Sequence, residues 1–327
     1  MKYSKHQNEP FTDHANRLMV KAAWLHYKVE LTQGEIAARL GISRIKVNRL
    51  IQQAKSSGIV DVVIKAPIPT FNEIEEQLVQ RFALNDAIVV MDATPGEPMY
   101  QALAQGAADW LTNQISPNID IGISLGRTLS YLPDAYFPHT DIRCNFIDII
   151  GNIQEFNRYF GSYNVTARMA ERFGGQALRL NAPTLVSSAK ALQIIKDEPY
   201  IKDVLDRARN AQIILLSCGP VDKSMLLYMH NFINDSEMED IKKRGAIGDV
   251  LTHFMDKEGN TIETDIETRV VALTLDEIKN IPKRVLIAAG DEKVPVMRVA
   301  LEKGFFNVVI TNLQGARGVL QSDQEEK

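Results

Sequence analysis

Short apolar runs alternate with stretches of helical periodicity through most of this 327-residue chain. The runs have the length of buried strands and are too short for buried helices. They are Ala87–Met91, Asn118–Ser124, Asn145–Ile150, Gln176–Leu180, Gln212–Ser217, Arg284–Ala288 and Asn307–Thr311. Helical periods fill the intervals, as in Met99–Gln114, Val165–Phe173 and Asp197–Asn210. This alternation predicts an α/β fold, a Rossmann-like doubly wound domain whose parallel sheet lies between two layers of helices.

The first part of the chain has a different pattern, with two short helices separated by a tight turn. Thr32 and Glu35 have the spacing of a capping box at the start of the first of these helices. Gly41 supplies the left-handed turn residue, and Ser43 caps a second helix that runs to about Ser56. Together these signals predict a helix-turn-helix.

The helix-turn-helix needs a small core. Val47, Leu50 and Ile51 form the inward stripe of the second helix. A preceding helix, about Asp13–Tyr27, is expected to complete the core with Leu18, Ala22, Trp24 and Leu25. The segment Ile59–Lys65 after the second helix is predicted to form a short strand, or wing.

The outward face of the second helix carries hydrogen-bond donors suited to phosphates and base edges in a DNA major groove. The alternative is a helical hairpin whose polar face is simply solvated. The predicted DNA contacts are Thr32, Gln33, Ser43, Arg44, Lys46, Asn48 and Arg49, with Gln52 on the same face.

Charge separates the two parts of the chain. Residues 1–65 hold 11 Lys and Arg against 5 Asp and Glu, whereas the whole chain has a net charge of −4. The remainder is therefore at −10, so a polyanionic partner is expected for the basic part alone. We predict a helix-turn-helix domain over 1–65, a Pro-containing linker over 66–70 and an α/β domain over 71–327.

Composition narrows the class of protein. The chain is 45% apolar and 24% charged, which is ordinary for a globular protein. It has neither an apolar run long enough to span a membrane nor an apolar N-terminal signal segment. Cys144 and Cys218, the only cysteines, both lie in apolar runs and favour a reducing compartment. A cytoplasmic protein is expected.

Ligands of open parallel sheets bind beyond the carboxyl ends of the strands. Four polar, Gly-containing segments are expected at that edge, namely Ser124–Thr128, Gly151–Ser162, Gly245–Asp249 and Gly290–Lys293. They offer backbone N–H groups, hydroxyls, the cations Arg127 and Lys293, and Asp249 as an acceptor for sugar hydroxyls. Each segment by itself is more often only a turn.

The first of these segments contains Gly122-x-Ser124-x-Gly126, the spacing of a hydrolase nucleophile elbow. That chemistry requires a histidine base on a late loop, and the three histidines after Ser124, namely His139, His230 and His253, do not have that position. The glycine spacing is also wrong for a dinucleotide site, and no histidine or cysteine cluster has metal-ligand spacing. We therefore predict no catalytic residues, metal or cofactor, and favour a phosphate cradle in which Thr128 caps the next helix.

The chain resembles the SorC-type sugar-binding transcriptional regulators of bacterial sugar and polyol operons. The resemblance runs from "LTQGEIAARLGISRIKVNRLIQQAKSSGIVDVVI" through "IGISLGRTL" and "RGAIGDVLTHFMDKEGN" to "IPKRVLIAAGDEK" and "ALEKGFFNVVIT". It implies a body similar to phosphosugar isomerases that acts as a sensor and not as a catalyst. It also implies homo-oligomers, usually tetramers, whose operator binding is controlled by a sugar or sugar phosphate.

The family's pattern assigns effector-binding roles to specific positions. The phosphate loop matches Ser124, Leu125, Gly126, Arg127 and Thr128, and the further contacts match Gly151, Asn152, Asp249 and Lys293. This sequence departs from the pattern where Asn152 replaces a glycine, where Asp291 replaces a glutamate, at Pro295, and where Asn312 replaces an aspartate.

The sequence therefore predicts a transcriptional regulator of a carbohydrate or polyol operon, and not an enzyme. Its expected partners are operator DNA, a small sugar, polyol or sugar phosphate, and further copies of itself, with no membrane partner. A phosphorylated effector is favoured because Arg127 and Lys293 flank the phosphate cradle. A neutral sugar is the alternative effector. The alternative function is a sugar-phosphate isomerase with a regulatory N-terminal domain.

Overall fold

The computed structural model describes residues 13–60, 69–93, 99–138, 141–153 and 165–321. Contacts between residues divide the chain into two compact units, Met1–Pro67 and Ile68–Lys327. We call them the head and the body. The predicted wing lies outside the described residues from Asp61 onward, and so does the predicted segment Gly151–Ser162 beyond Ile153.

The described part of the head consists of three helices, α1 (Asp13–Tyr27), α2 (Gln33–Leu40) and α3 (Arg44–Ser56). Their ends follow from local chemistry. Thr32 and Glu35 form the predicted capping box on α2, and Gly41 has φ 67° at its end. The Ser43 side chain accepts a hydrogen bond from the N–H of Lys46 and caps α3. These findings confirm the predicted helix-turn-helix geometry.

The core of the head is formed by buried residues from all three helices, including Ala22, Leu25, Ile36, Val47 and Ile51. The prediction that Trp24 belongs to this core is wrong, because its side chain is 56% exposed. It lies on the opposite side of α1 from Ala22, since two residues turn a helix by about 200°.

The body is built on a seven-stranded sheet in the order β1-β10-β9-β5-β2-β3-β4. All neighbouring pairs are parallel. All seven predicted strands belong to it, with ends shifted by a few residues. They are β1 (Asp86–Val90), β2 (Asp120–Ile123), β3 (Asn145–Asp148), β4 (Ala177–Leu178), β5 (Ile213–Leu216), β9 (Lys283–Ile287) and β10 (Val308–Asn312).

Helices cover both faces of the sheet, which agrees with the predicted doubly wound fold. Successive residues of a strand point to opposite faces of the sheet and belong to two different hydrophobic cores. Ile213 and Leu215 pack into one of them, and Ile214 and Leu216 into the other. The helices are α4 (Pro69–Phe82), α5 (Met99–Thr112), α6 (Arg127–Ser130), α7 (Val165–Arg172), α8 (Ala189–Asp197), α9 (Pro199–Arg209), α10 (Leu226–Met229), α11 (Asp235–Lys243), α12 (Leu275–Lys279), α13 (Val294–Glu302) and α14 (Leu313–Leu320).

Two expectations about helix boundaries are corrected. Helix α4 begins at Pro69, inside the segment predicted as a linker, because proline is well accommodated at the first position of a helix. The predicted helix Asp197–Asn210 corresponds to α9 and begins two residues later, at Pro199, because Glu198 before this proline is extended and separates α9 from α8.

A second, antiparallel sheet was not predicted. It consists of β6 (Cys218–Pro220), β7 (Gly248–Val250) and β8 (His253–Met255). These strands are only three residues long, so they have no recognisable periodicity in the sequence. Among the described residues, no helix has the length and apolar character needed to cross a membrane.

Candidate functional site

A cavity lies at the carboxyl ends of four adjacent strands, β9, β5, β2 and β3. It is lined by residues that follow these strands, including Ser124, Ile150, Ser217 and Lys293. From β2 the chain continues to β3 on one side, and from β5 it continues to β9 on the other. The cavity therefore lies at the topological switch point of the sheet, where ligands of this fold class bind.

The segment Ser124–Thr128 forms one wall of this cavity. Gly122, inside β2, is needed for packing, because a Cβ there would lie 2.6 Å from Ile149 and 2.8 Å from Ile214. Ser124 is 4% exposed, and its N–H donates to the Leu215 carbonyl at 3.1 Å. The glycine-serine spacing thus follows from packing between strands and does not require a nucleophile elbow.

Helix α6 begins directly at the cavity. Its first intrahelical hydrogen bond runs from the N–H of Ser130 to the carbonyl of Gly126, at 3.0 Å. The preceding N–H groups, on residues 127–129, therefore have no acceptor within the helix and can serve an anion. The prediction that Thr128 caps this helix is wrong. Gly126 is the N-cap, and Thr128 lies inside a four-residue helix whose dipole is correspondingly small.

Lys293 is the buried cation of the cavity. It ends a 3-10 turn after β9 and is only 7% exposed. Among the described residues, no carboxylate lies within 4.0 Å of its ammonium group. A buried charge without an ion-pair partner costs free energy, and a bound anion would remove that cost. Arg127 also lines the cavity, and its guanidinium lies 6.0 Å from the Tyr100 ring.

Asp249 is the acidic residue of the cavity. It lies in strand β7 and not in the predicted loop. Burial is the main reason why the pKa of its carboxyl rises from 3.8 to about 6. A hydrogen bond from the N–H of Thr252, at 3.0 Å, and the positive charge of Lys293 act in the opposite direction. At neutral pH the carboxylate form can therefore accept hydrogen bonds from ligand hydroxyls.

A strained turn holds this carboxylate. Leu251 and Thr252 connect β7 to β8 with φ values of 53° and 65°, which neither a leucine nor a β-branched threonine readily adopts. Left-handed residues of this kind cost roughly 1–3 kcal/mol each. Both residues line the cavity, and Thr252 also supplies the N–H that Asp249 accepts. The strain is therefore located at the site itself.

The prediction missed several residues of the cavity wall. Ser217 is the last residue of the predicted strand Gln212–Ser217, so the rule about carboxyl ends could have identified it. The others lie on segments without a motif. The missed polar residues are Thr184, Ser217, Ser224 and Thr252, and the apolar wall includes Ile150, Ile153, Met225, Leu226 and Leu227.

Some predicted site residues do not line the cavity. Gly151 and Asn152 pair instead with two neighbouring segments, the N–H of Gly151 donating to the Val271 carbonyl and the N–H of Asn152 to the Ala182 carbonyl. Asp291 accepts a hydrogen bond from the Gln314 side chain. Asn312 caps α14, since its side chain accepts from the N–H of Gly315. Asn152, Asp291 and Asn312, three positions where the sequence departs from the family's pattern, therefore do not line the cavity.

No base for a serine nucleophile is present among the described histidines. His253 is buried, with one ring nitrogen on the Glu267 carboxylate and the other 2.9 Å from the Leu273 carbonyl. His230 lies at the end of α10 and is not part of the cavity wall, while His139 lies outside the described residues. The described residues also contain no group of three or more side chains suited to a metal.

In the head, all the predicted DNA contacts are exposed except Gln33, which is half-buried. Ser43, Arg44, Lys46 and Arg49 are exposed on α3 or at its cap. Gln33 of α2 donates to Asn48 of α3 at 3.5 Å, so the two helices present their amides side by side. Ile45, which the prediction did not include, is also exposed on this face.

A helix-turn-helix unit and an α/β unit with a polar cavity, present in one chain, define a ligand-responsive transcriptional regulator. Comparison with known proteins agrees with this class. Residues 67–321 match the family described as "Putative sugar-binding domain". The chain therefore belongs to this sugar-binding family.

Individual relatives match along nearly the whole chain. The erythritol catabolism regulatory protein EryD of Brucella abortus is 28% identical over 94% of this chain and 98% of its own. The deoxyribonucleoside regulator of Bacillus subtilis is 26% identical over 93% and 97%. The full-length sorbitol operon regulator SorC of Klebsiella pneumoniae shares the fold, with a TM-score of 0.75, 23% identity and coverage of 95% and 100%. These relatives are regulators and not enzymes, which confirms the predicted class of sugar-responsive transcriptional regulator.

Proposed function

We propose that this regulator binds operator DNA through the exposed face of α3 and binds a phosphorylated sugar or polyol in the cavity of the body. The strongest support for a phosphorylated ligand is Lys293, a buried cation that has no ion-pair partner within 4.0 Å among the described residues. The N–H groups at the start of α6 and the hydroxyls of Ser124 and Thr128 line the same cavity. A phosphate group would satisfy all of these donors together.

Asp249 supports a ligand with hydroxyl groups next to the anion. A carboxylate accepts hydrogen bonds from hydroxyls and repels a second phosphate. The apolar wall near Ile150 and Met225 fits the C–H surface of a short carbon chain. A monophosphate of a small sugar or polyol has this combination of groups.

The names of the relatives supply a panel of matched ligand pairs. We would measure binding of erythritol, sorbitol and deoxyribose, each with and without phosphate, by calorimetry and by thermal shift. A ligand specific for the folded state raises its stability by mass action, so a tight binder is visible as a raised melting temperature. If every phosphate-free ligand binds more tightly than its phosphorylated counterpart, the proposal of an anionic effector is wrong.

The same samples test the enzymatic alternative. An isomerase would convert the bound sugar phosphate, or would exchange carbon-bound hydrogen with D₂O, and NMR detects both. A regulator instead should return the ligand unchanged while its DNA affinity changes.

We further propose a homo-oligomer, a tetramer, in the cytoplasm. A single helix-turn-helix contacts about one half-site, so paired heads are needed for a full operator. The buried free thiols of Cys144 and Cys218 fit a reducing compartment. Light scattering tests the assembly. A monomer at micromolar concentration that retains full operator affinity would refute it.

A further inference from the structure

One large apolar side chain lies in the middle of the polar face of α3. Ile45 is 84% exposed, while the other large aliphatic residues of this helix, Val47, Leu50 and Ile51, are buried. With 100° per residue, Ile45 lies between Asn48 and Arg49 around the helix and about opposite Ala54. It is therefore not an edge residue of the apolar stripe.

Neither folding nor helix formation requires isoleucine at this position. The side chain contributes little buried area to the head, and a β-branched residue is a poorer helix former than most polar alternatives. The partner of Ile45 must therefore lie outside the described residues of the head, or this side chain stays hydrated.

The surroundings of Ile45 indicate the chemistry of that partner. Arg44, Lys46 and Arg49 are exposed around it, so the face is strongly cationic. Such a face repels a second copy of itself and attracts a polyanion. Ile45 is also the second residue of the helix, and the N-terminal residues of a recognition helix are those that reach base edges.

The base edges of the major groove offer one apolar group, the C5-methyl of thymine. We propose that Ile45 contacts a thymine methyl in each operator half-site and thereby specifies a T·A pair at that position. This inference rests on the proposed DNA binding and adds a residue that reads sequence by apolar contact, next to the arginines and amides that read by hydrogen bonds.

The test removes single methyl groups from the DNA. The full-length protein first selects duplexes from a random pool. Each thymidine of the selected site is then replaced in turn by deoxyuridine, which lacks only the C5-methyl. At one position in each half-site, wild-type affinity should fall about fourfold, the value of one buried methyl-sized group. The Ile45→Ala variant should have lost this sensitivity.

Ile59→Ala is the matched control, because Ile59 is another exposed isoleucine of the head but lies beyond α3. It should keep the full response to deoxyuridine. If Ile45→Ala binds DNA too weakly to be measured, Ile45→Val replaces it in the assay. The affinity of Ile45→Val should fall less on deoxyuridine substitution than that of wild type. Circular dichroism melts check that each variant is folded.

The proposal fails if wild type tolerates every deoxyuridine, or if Ile45→Ala responds as strongly as wild type. A loss of DNA affinity in Ile45→Ala without any deoxyuridine effect would also overturn it, because Ile45 would then support DNA binding without reading a thymine methyl. If the wild type selects no sequence at all, the proposed DNA binding itself is wrong, which is a different result.

Discussion

Replacing Lys293 with glutamine tests the anionic effector most directly. The substitution removes the charge and keeps a side chain of similar length. Because Lys293 is 7% exposed and lines the cavity, its ammonium can meet a ligand phosphate with little competition from water. A hydrogen bond to a charged group contributes roughly 1.5–3 kcal/mol. At 1.4 kcal/mol per tenfold change, the sugar phosphate should bind roughly 10–150-fold more weakly.

The stability of the ligand-free protein should change much less than its affinity for the sugar phosphate. Lys293 has no carboxylate within 4.0 Å among the described residues, so the folded state bears the cost of a buried charge. Lys293→Gln removes that cost but also removes the attraction between Lys293 and the Asp249 carboxylate, so its melting temperature without ligand should stay close to that of wild type. A lower affinity together with an undiminished stability separates a binding role from a structural one.

The assay is calorimetry with one sugar and its phosphate, carried out at pH 8. In wild type the Asp249 carboxyl has a pKa of about 6, and the loss of the neighbouring positive charge in Lys293→Gln raises this pKa further. A pH of 8 is therefore chosen to keep Asp249 ionised in both proteins. Lys257→Gln is the control, because this side chain is 81% exposed and does not line the cavity. If the phosphate-free sugar binds more tightly to wild type and Lys293→Gln changes neither affinity, the reasoning about the anion is wrong.

Four further outcomes are expected. The carboxyl of Asp249 has a pKa of about 6 in the folded state against an ordinary 3.8, so the folded state binds more protons between these values and wild-type stability falls as the pH rises. Asp249→Asn should therefore gain stability relative to wild type from about pH 4 to 7 in thermal melts, and parallel curves would contradict this. Arg44→Ala or Arg49→Ala should each cost roughly 1–3 kcal/mol of specific DNA binding, measured by fluorescence anisotropy. Normal affinity in the folded double variant would exclude the proposed face. Ser124→Ala should weaken the response to ligand, and wild-type protein should not react with a fluorophosphonate, since labelling at Ser124 would indicate a nucleophile. Ala83 follows α4 with φ 50°, so Ala83→Gly should stabilise the body by about 1 kcal/mol, and an unchanged or lower melting temperature would refute the strain there.

The features that follow from the sequence are those with a local cause. The capping box of Thr32 and Glu35, the left-handed Gly41 and the cap at Ser43 each depend on residues three or four positions apart. The boundaries of α2 and α3 could therefore be predicted nearly to the residue. The seven strands of the large sheet could be found as well, because a strand buried on both faces is apolar throughout.

Local patterns did not decide which face of a helix is covered. Helix α1 carries apolar residues around much of its circumference, so its sequence is compatible with a buried Trp24. The packing of α2 and α3 against the side of Ala22 leaves Trp24 exposed. The same limit applies to β6, β7 and β8, whose pairing depends on neighbours far away in the chain.

The full composition of the cavity wall was decided by the tertiary structure. The parallel order of the strands could be expected to place loops at one edge, but their spatial order, β9-β5-β2-β3, decides which loops meet. It brings Lys293 and Ser124 to one cavity and leaves Gly151 and Asn152 outside its wall. The raised pKa of Asp249 and the strained turn at Thr252 follow from that assembly, because burial and backbone strain arise only when distant segments enclose the same space.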